Sequence, residues 1–240
     1  MTRILKALGL AVGAMAAMSA VLASAAQAET GALTAAEYPA IITGAPPAGS
    51  ITFDIGAAPL KTVTCNTADL TSTLAGPTDP VTFTPIYGEC TAEPGAMPVT
   101  ITTNGCDYSV GVTKPGTTGM PATTGTMQTS IVCPAGQRIE IHIYENAFAH
   151  AGNAPICTYD IAPQGPLPGG VYHNVFGNPN DVVATVKAAF TAKSTMGPEM
   201  VCGGGGPLNH LPITLTGNYT LKGFHEDGGF EGMQIPIDVG

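Results

Sequence analysis

Apolar and polar residues alternate along most of this chain with a period of two. Val81-Thr-Phe-Thr-Pro-Ile-Tyr87, Val99-Thr-Ile-Thr102, Ile139-Glu-Ile-His-Ile143 and Ile213-Thr-Leu-Thr216 each place one set of side chains on a buried face and the other in water. Such segments are half-buried antiparallel strands. Clusters of Gly and Pro punctuate them at Gly76-Pro77, Glu93-Pro94-Gly95, Gly116 to Gly125, Asn178 to Asp181 and Asp227-Gly228-Gly229, and supply the fixed or positive φ that turns require. Asp181 to Lys193 is the one stretch with helical character. Its β-branched Val182, Val183, Thr185 and Val186 favour a strand. The pattern predicts an all-β fold, an antiparallel β-sandwich or barrel-like domain of about a dozen short strands.

An echo links Pro80-Val-Thr-Phe-Thr, ending in Gly88-Glu-Cys90, to Pro98-Val-Thr-Ile-Thr, ending in Gly105-Cys106. One repetition is too little for a solenoid, and it reads as neighbouring strands of one sheet.

The amino terminus departs from this pattern. Arg3 and Lys6 accompany an apolar run from Ile4 to Ala25, followed by Ala26-Gln27-Ala28. A basic start, an apolar run and a small-x-small end describe a secretory signal peptide over residues 1–28. The run could just span a bilayer, but its Ala- and Gly-rich composition and small terminal residues favour cleavage. The exported domain is then residues 29–240, either one fold or two packed β subdomains, without a further membrane span. The compartment expected is extracellular or the cell envelope.

Loss of Arg3 and Lys6 with the leader leaves six basic residues against 17 acidic ones, a formal charge of −11. Nucleic acid and anionic lipid are therefore poor partners, and an extracellular or cell-surface ligand is expected instead. Charged residues are only 10% of the chain, so Thr, Asn, Gly and Pro must cover much of the surface.

All six cysteines, Cys65, Cys90, Cys106, Cys133, Cys157 and Cys202, follow the leader. An even count in an oxidising compartment reads as three disulfides. No Cys-x-x-Cys pair supports a zinc ribbon or redox site. Residues facing each other across a hairpin are equidistant from its turn. Cys65 and Cys90 centre on the Gly-Pro turn after residue 76, and Cys106 and Cys133 on the loop near Gly119, which leaves Cys157 with Cys202. Cys133 with Cys157 also centres on a turn, at Glu145, and would leave Cys106 with Cys202.

The leader, the cysteines and several short stretches together resemble a family. Thr62-Val-Thr-Cys65, Thr84-Pro-Ile-Tyr-Gly-Glu-Cys90, Thr103-Asn-Gly-Cys106, Val132-Cys-Pro-Ala-Gly136, Cys157, Ala162-Pro-Gln164 and Gly217-Asn-Tyr-Thr220 make the chain similar to uncharacterised exported, disulfide-bonded β proteins of high-GC bacteria. The resemblance covers most of the exported part. It implies compartment and fold but no activity.

Chemistry is sparse. The five serines after the leader, Ser50, Ser72, Ser109, Ser130 and Ser194, lie in no Gly-x-Ser-x-Gly or Ser-x-x-Lys motif. His142, His150, His173, His210 and His225 form no close pair of metal-ligand type. His142 alternates with Ile141 and Ile143 and should face solvent. His225 to Glu231 gathers a His and three carboxylates around Asp227-Gly-Gly229, a hairpin turn with the makings of a weak cation site. Gly203 to Gly206 lacks the Lys and the helix of a phosphate loop. The Asn218-Tyr-Thr220 sequon carries no weight in a bacterial export setting. No cofactor or metal signature is present.

The reading is an exported, non-enzymatic β protein, an envelope-associated binding, adhesive or structural module. The alternative is a secreted hydrolase assembled from Glu140, His142, Glu145, His173 or the cluster at 225–231.

Overall fold

The computed structural model describes residues 31–56, 62–116, 124–145, 154–177, 180–196, 202, 211–226, 234–235 and 237–239. The leader, His150, His210, Gly203 to Gly206 and residues 227–231 lie outside them.

Four long strands form the frame: β4 (Thr62–Leu74), β5 (Val81–Glu93), β12 (Asp181–Met196) and β13 (Leu211–His225). The Asp181 segment is thus a strand. It alternates without interruption, with Val182, Ala184, Val186, Ala188, Phe190 and Ala192 all buried, because branched side chains fit a pleated, half-buried surface.

The remaining wall strands pair end to end. β2 (Ala40–Ala45) and β3 (Ile51–Ile55) follow one another along β4, Ala40 opposite Leu74 and Asp54 opposite Thr62. β6 (Met97–Thr102) and β7 (Asp107–Lys114) run in series beside β5. β8 (Gly125–Val132) and β9 (Ile139–Ile143) run along β7 and β6, and β10 (Cys157–Ile161) and β11 (Gln164–Val175) along β9 and β8. β12 takes β11 and β10 on one edge and β13 on the other, and β13 returns to β2 and β3.

The hydrogen-bonded circuit therefore closes on itself. Counting each end-to-end pair as one stave, it is an up-and-down barrel of eight antiparallel staves in chain order, about the size whose interior side chains can fill. The four long strands run through both ends. β1 (Leu33–Ala35) pairs with β15 (Ile237–Val239), and β14 (Gln234–Ile235) extends β13 as a hairpin arm.

Inward positions carry the apolar half of each alternation. Phe53, Ile141, Tyr159, Phe190 and Ile213 pack the lower end and are at most 2% exposed. Outward positions carry Thr, Asn, Asp and Lys, as in the cross-strand row Thr91, Thr64, Thr52, Thr216, Lys187, the reverse of a lipid-facing barrel. No helix among the described residues is long and apolar enough to cross a membrane.

The echoed segments are neighbours, Cys90 opposite Val99. β5 runs on unbroken, whereas its neighbour breaks between β6 and β7: Asn104 and Gly105 take positive φ (51° and 76°) and Cys106 N–H donates to the Thr103 carbonyl. Gly169 has φ 137°, and a Cβ there would sit 1.7 Å from the Lys187 carbonyl oxygen. Only glycine lets β11 approach β12 this closely.

The cysteines pair as Cys65–Cys90, Cys106–Cys133 and Cys157–Cys202. The first joins directly opposed residues of β4 and β5. The second ties the β6–β7 turn to the β8–β9 turn at mid-height. The third anchors Cys202, 1% exposed, to β10 at the lower end, where the Tyr159 hydroxyl also donates to its carbonyl at 3.1 Å.

Candidate functional site

The residues with acid–base chemistry do not converge among the described part of the chain. His142 lies on the outer wall beside Glu140, 3.6 Å away, flanked by Thr100 and Thr158. Glu145 is exposed just beyond β9, His173 is exposed on β11, and His225, at the upper end of β13, faces Glu37 at 3.5 Å. Ser109 and Ser130 oppose each other on β7 and β8. These groups occupy a convex surface at different heights.

The strongest ion pair beside them is structural. Asp160 points outward from β10 yet is only 9% exposed; it accepts from Arg138 Nη1 at 2.9 Å and from Thr195 Oγ1 at 3.5 Å. Arg138 also reaches Glu140 at 3.7 Å. A carboxylate this covered must be paired, and here it stitches β9, β10 and β12 together. No group of three or more metal-ligating side chains occurs among the described residues.

Phenols mark the interior, with Tyr108, Tyr159 and Tyr219 buried and Tyr87 partly buried against them. Tyr87 and Tyr108 share a hydrogen bond of 2.7 Å. Phe53 meets Tyr87 edge-on at 5.4 Å, and Phe190 stacks on Tyr108 at 6.3 Å. Burial pushes Tyr87 well above the ordinary phenol value and lifts Tyr108 and Tyr159 to about 12; Tyr219 is raised by burial and then by Tyr108. In each, the low-dielectric interior disfavours phenolate. These are core groups, unsuited to proton transfer near neutrality.

Grooves of about 390 and 450 Å³ run over the outer wall, one along Thr71, Thr73, Thr82 and Thr84, the other beside Tyr87, Val99 and Ile101. Both are open and hold no convergent set of functional groups.

The upper mouth of the barrel is different. It encloses a cavity of about 40 Å³ lined by Val81, Phe83, Val110, Val112, Met127, Tyr172, Val182, Ala184 and Leu221, with Leu33 and Val239 above. One carboxylate, Asp79, enters this apolar lining from the β4–β5 connection, its Oδ1 accepting from Val112 N–H at 2.9 Å. Burial, and secondarily the charge of Asp79, raises the Tyr172 phenol, whose oxygen accepts from Gly116 N–H at 3.0 Å.

The two ends of the described chain form the cover. β1 and β15 pair across the mouth; Leu33 exchanges backbone hydrogen bonds of 3.0 and 3.1 Å with Thr78. Asn174, 5% exposed and inward-facing on β11, clips Val239 twice, its Nδ2 donating to the carbonyl at 3.1 Å and its Oδ1 accepting from N–H at 3.0 Å. Sequence reasoning missed both Asp79 and Asn174. Asp79 precedes Pro80 and reads as a turn residue. Asn174 had a usable signal: it is a polar residue at the same inward parity as Tyr172.

Asn174→Ala removes both bonds and leaves the Val239 backbone groups unpaired. The expected result is a loss of about 1–3 kcal/mol concentrated in the cover, read as faster amide exchange at Leu33 and Val239 with protection in β12 and β13 unchanged. Uniformly faster exchange throughout the barrel would show that the cover is not a separate unit.

Fold and site together define a closed, disulfide-clamped antiparallel barrel with a capped apolar mouth. No family model, curated protein or solved structure matches this chain.

Proposed function

We propose that the chain is an exported, non-enzymatic binding protein, retained at or near the cell envelope, whose ligand enters the capped mouth of the barrel. The observation that carries this reading is the contrast between a lower end lined by fully buried large side chains such as Phe53, Ile141 and Tyr159 and an upper end that keeps an apolar cavity with a single carboxylate, a composition that suits a small-ligand site. Scattered acid–base groups on the convex wall support binding over hydrolysis. Three disulfides suit an oxidising compartment, and the leader would deliver the chain there, so that the exported protein begins at Glu29.

The test is native mass spectrometry and thermal shift of the exported protein against a diverse fragment set, beside Ala184→Leu, which fills the mouth. Binding lost in that variant is the expected result. Absence of binding, or a hydrolytic activity lost in Glu140→Gln and His142→Ala, overturns the reading.

A further inference from the structure

We propose that the mouth is a seat for a small organic cation, a primary ammonium group on a short apolar body. This deepens the binding reading above and rests on it. Among the described residues Asp79 faces no Lys, Arg or His within ion-pair distance. Its one hydrogen bond, from Val112 N–H, fixes the carboxyl orientation and engages Oδ1; the second oxygen makes no hydrogen bond among the described residues. The surrounding wall is Val81, Phe83, Met127 and Leu221. An anion in this space is repelled by Asp79, and a neutral donor gains a hydrogen bond from it but no charge pairing. An ammonium group supplies a charge partner for this half-buried carboxylate, and Phe83 and Tyr172 are aromatic members of the same lining.

Size sets the rest of the recognition. A space of about 40 Å³ is several times what one water needs but well below the 150 Å³ or so of a cavity that takes benzene. The closed mouth therefore holds the ammonium and its first carbon, and a longer body must lift Leu33 and Val239. Affinity for longer amines is consequently coupled to the cover, while affinity for methylammonium is not.

The experiment is an NMR titration of the exported full chain with methylammonium, butylammonium, butan-1-ol and butanoate at equal ionic strength. Butylammonium is expected to shift Val112, Met127 and Val239 saturably, butan-1-ol to bind about tenfold or more weakly, and butanoate to leave these signals in place. Asp79→Asn, which keeps an acceptor for Val112 N–H, should lower the affinity for both amines about tenfold and leave butan-1-ol unchanged. Asn174→Ala should favour butylammonium relative to methylammonium. Equal affinity for amine and alcohol, or amine binding at the mouth of Asp79→Asn equal to wild type, overturns the cation seat and leaves a binding barrel of other specificity. Failure of both amines while other fragments bind in the mouth has the same meaning. Failure of every fragment overturns the binding reading itself.

Discussion

Reduction of the three disulfides is expected to unfold the protein at room temperature without denaturant. The bridges close spans of 25, 27 and 45 residues, and in the chain-entropy account each restricts the unfolded chain by about 3.5–4 kcal/mol. Their sum approaches the whole stability of an ordinary domain, about 5–15 kcal/mol. Position adds to length. Cys65–Cys90 and Cys106–Cys133 link adjacent staves, whereas Cys157–Cys202 fastens a connecting segment under the lower end. Paired Ser replacements should separate these roles, and Cys157→Ser with Cys202→Ser should cause the largest single loss, because the longest span is freed and Tyr159 loses its fixed acceptor. Urea titration followed by far-ultraviolet circular dichroism measures each loss. A reduced protein that keeps its β spectrum and a cooperative transition within about 1 kcal/mol of the oxidised form would contradict the expectation.

Alkali is expected to unfold the barrel cooperatively, beginning above about pH 10. Tyr108 and Tyr159 are held as neutral phenols up to about 12, with Tyr87 and Tyr219 also raised, while unfolded tyrosines ionise near 10. Above that value the unfolded chain binds fewer protons than the folded one, so stability falls as pH rises. It is fully present below pH 10. Between 10 and 12, Tyr108 and Tyr159 would each withdraw up to about 1.4 kcal/mol per pH unit, with Tyr87 and Tyr108 acting as a coupled pair. The chain contains no Trp, so tyrosinate absorbance follows the event without interference. Absorbance and loss of β signal should rise together; ionisation of all seven tyrosines near pH 10 in an intact barrel would show that these phenols are not sealed in the core.

Much of the architecture is legible in the sequence. Alternation in Val81–Tyr87, Ile139–Ile143 and Ile213–Thr216 assigned both strand type and inward face, since a period of two leaves one face for the core. The β-branched run at Val182 to Val186 correctly outweighed its helical features. Turn positions pointed to Cys65 with Cys90 but left Cys133 between Cys106 and Cys157, and the structure chooses Cys106. Strand lengths were less legible. The alternation in Val81–Tyr87 and Ile213–Thr216 covers only part of β5 and β13, which run on through Gly88 and Gly217; a Cβ on Gly217 would collide with the Ile51 side chain, so this glycine makes room for packing.

The mouth was not legible at all. Leu33 and Val239 are over two hundred positions apart, and only closure of the barrel brings them over Asp79. Conversely, Glu140, His142, His173 and His225 looked like possible partners, but only Glu140 and His142 adjoin, 3.6 Å apart on the outer wall, and His173 and His225 lie on other strands. Periodicity and turns, which act over a few residues, define an all-β chain with its inward and outward faces and narrow the cysteine pairing to two schemes, between which the structure chooses. Tertiary structure alone decided that the staves close into one barrel, which end is filled, and where a single carboxylate faces apolar walls, because those depend on long-range registers and on how side-chain volumes sum inside the ring.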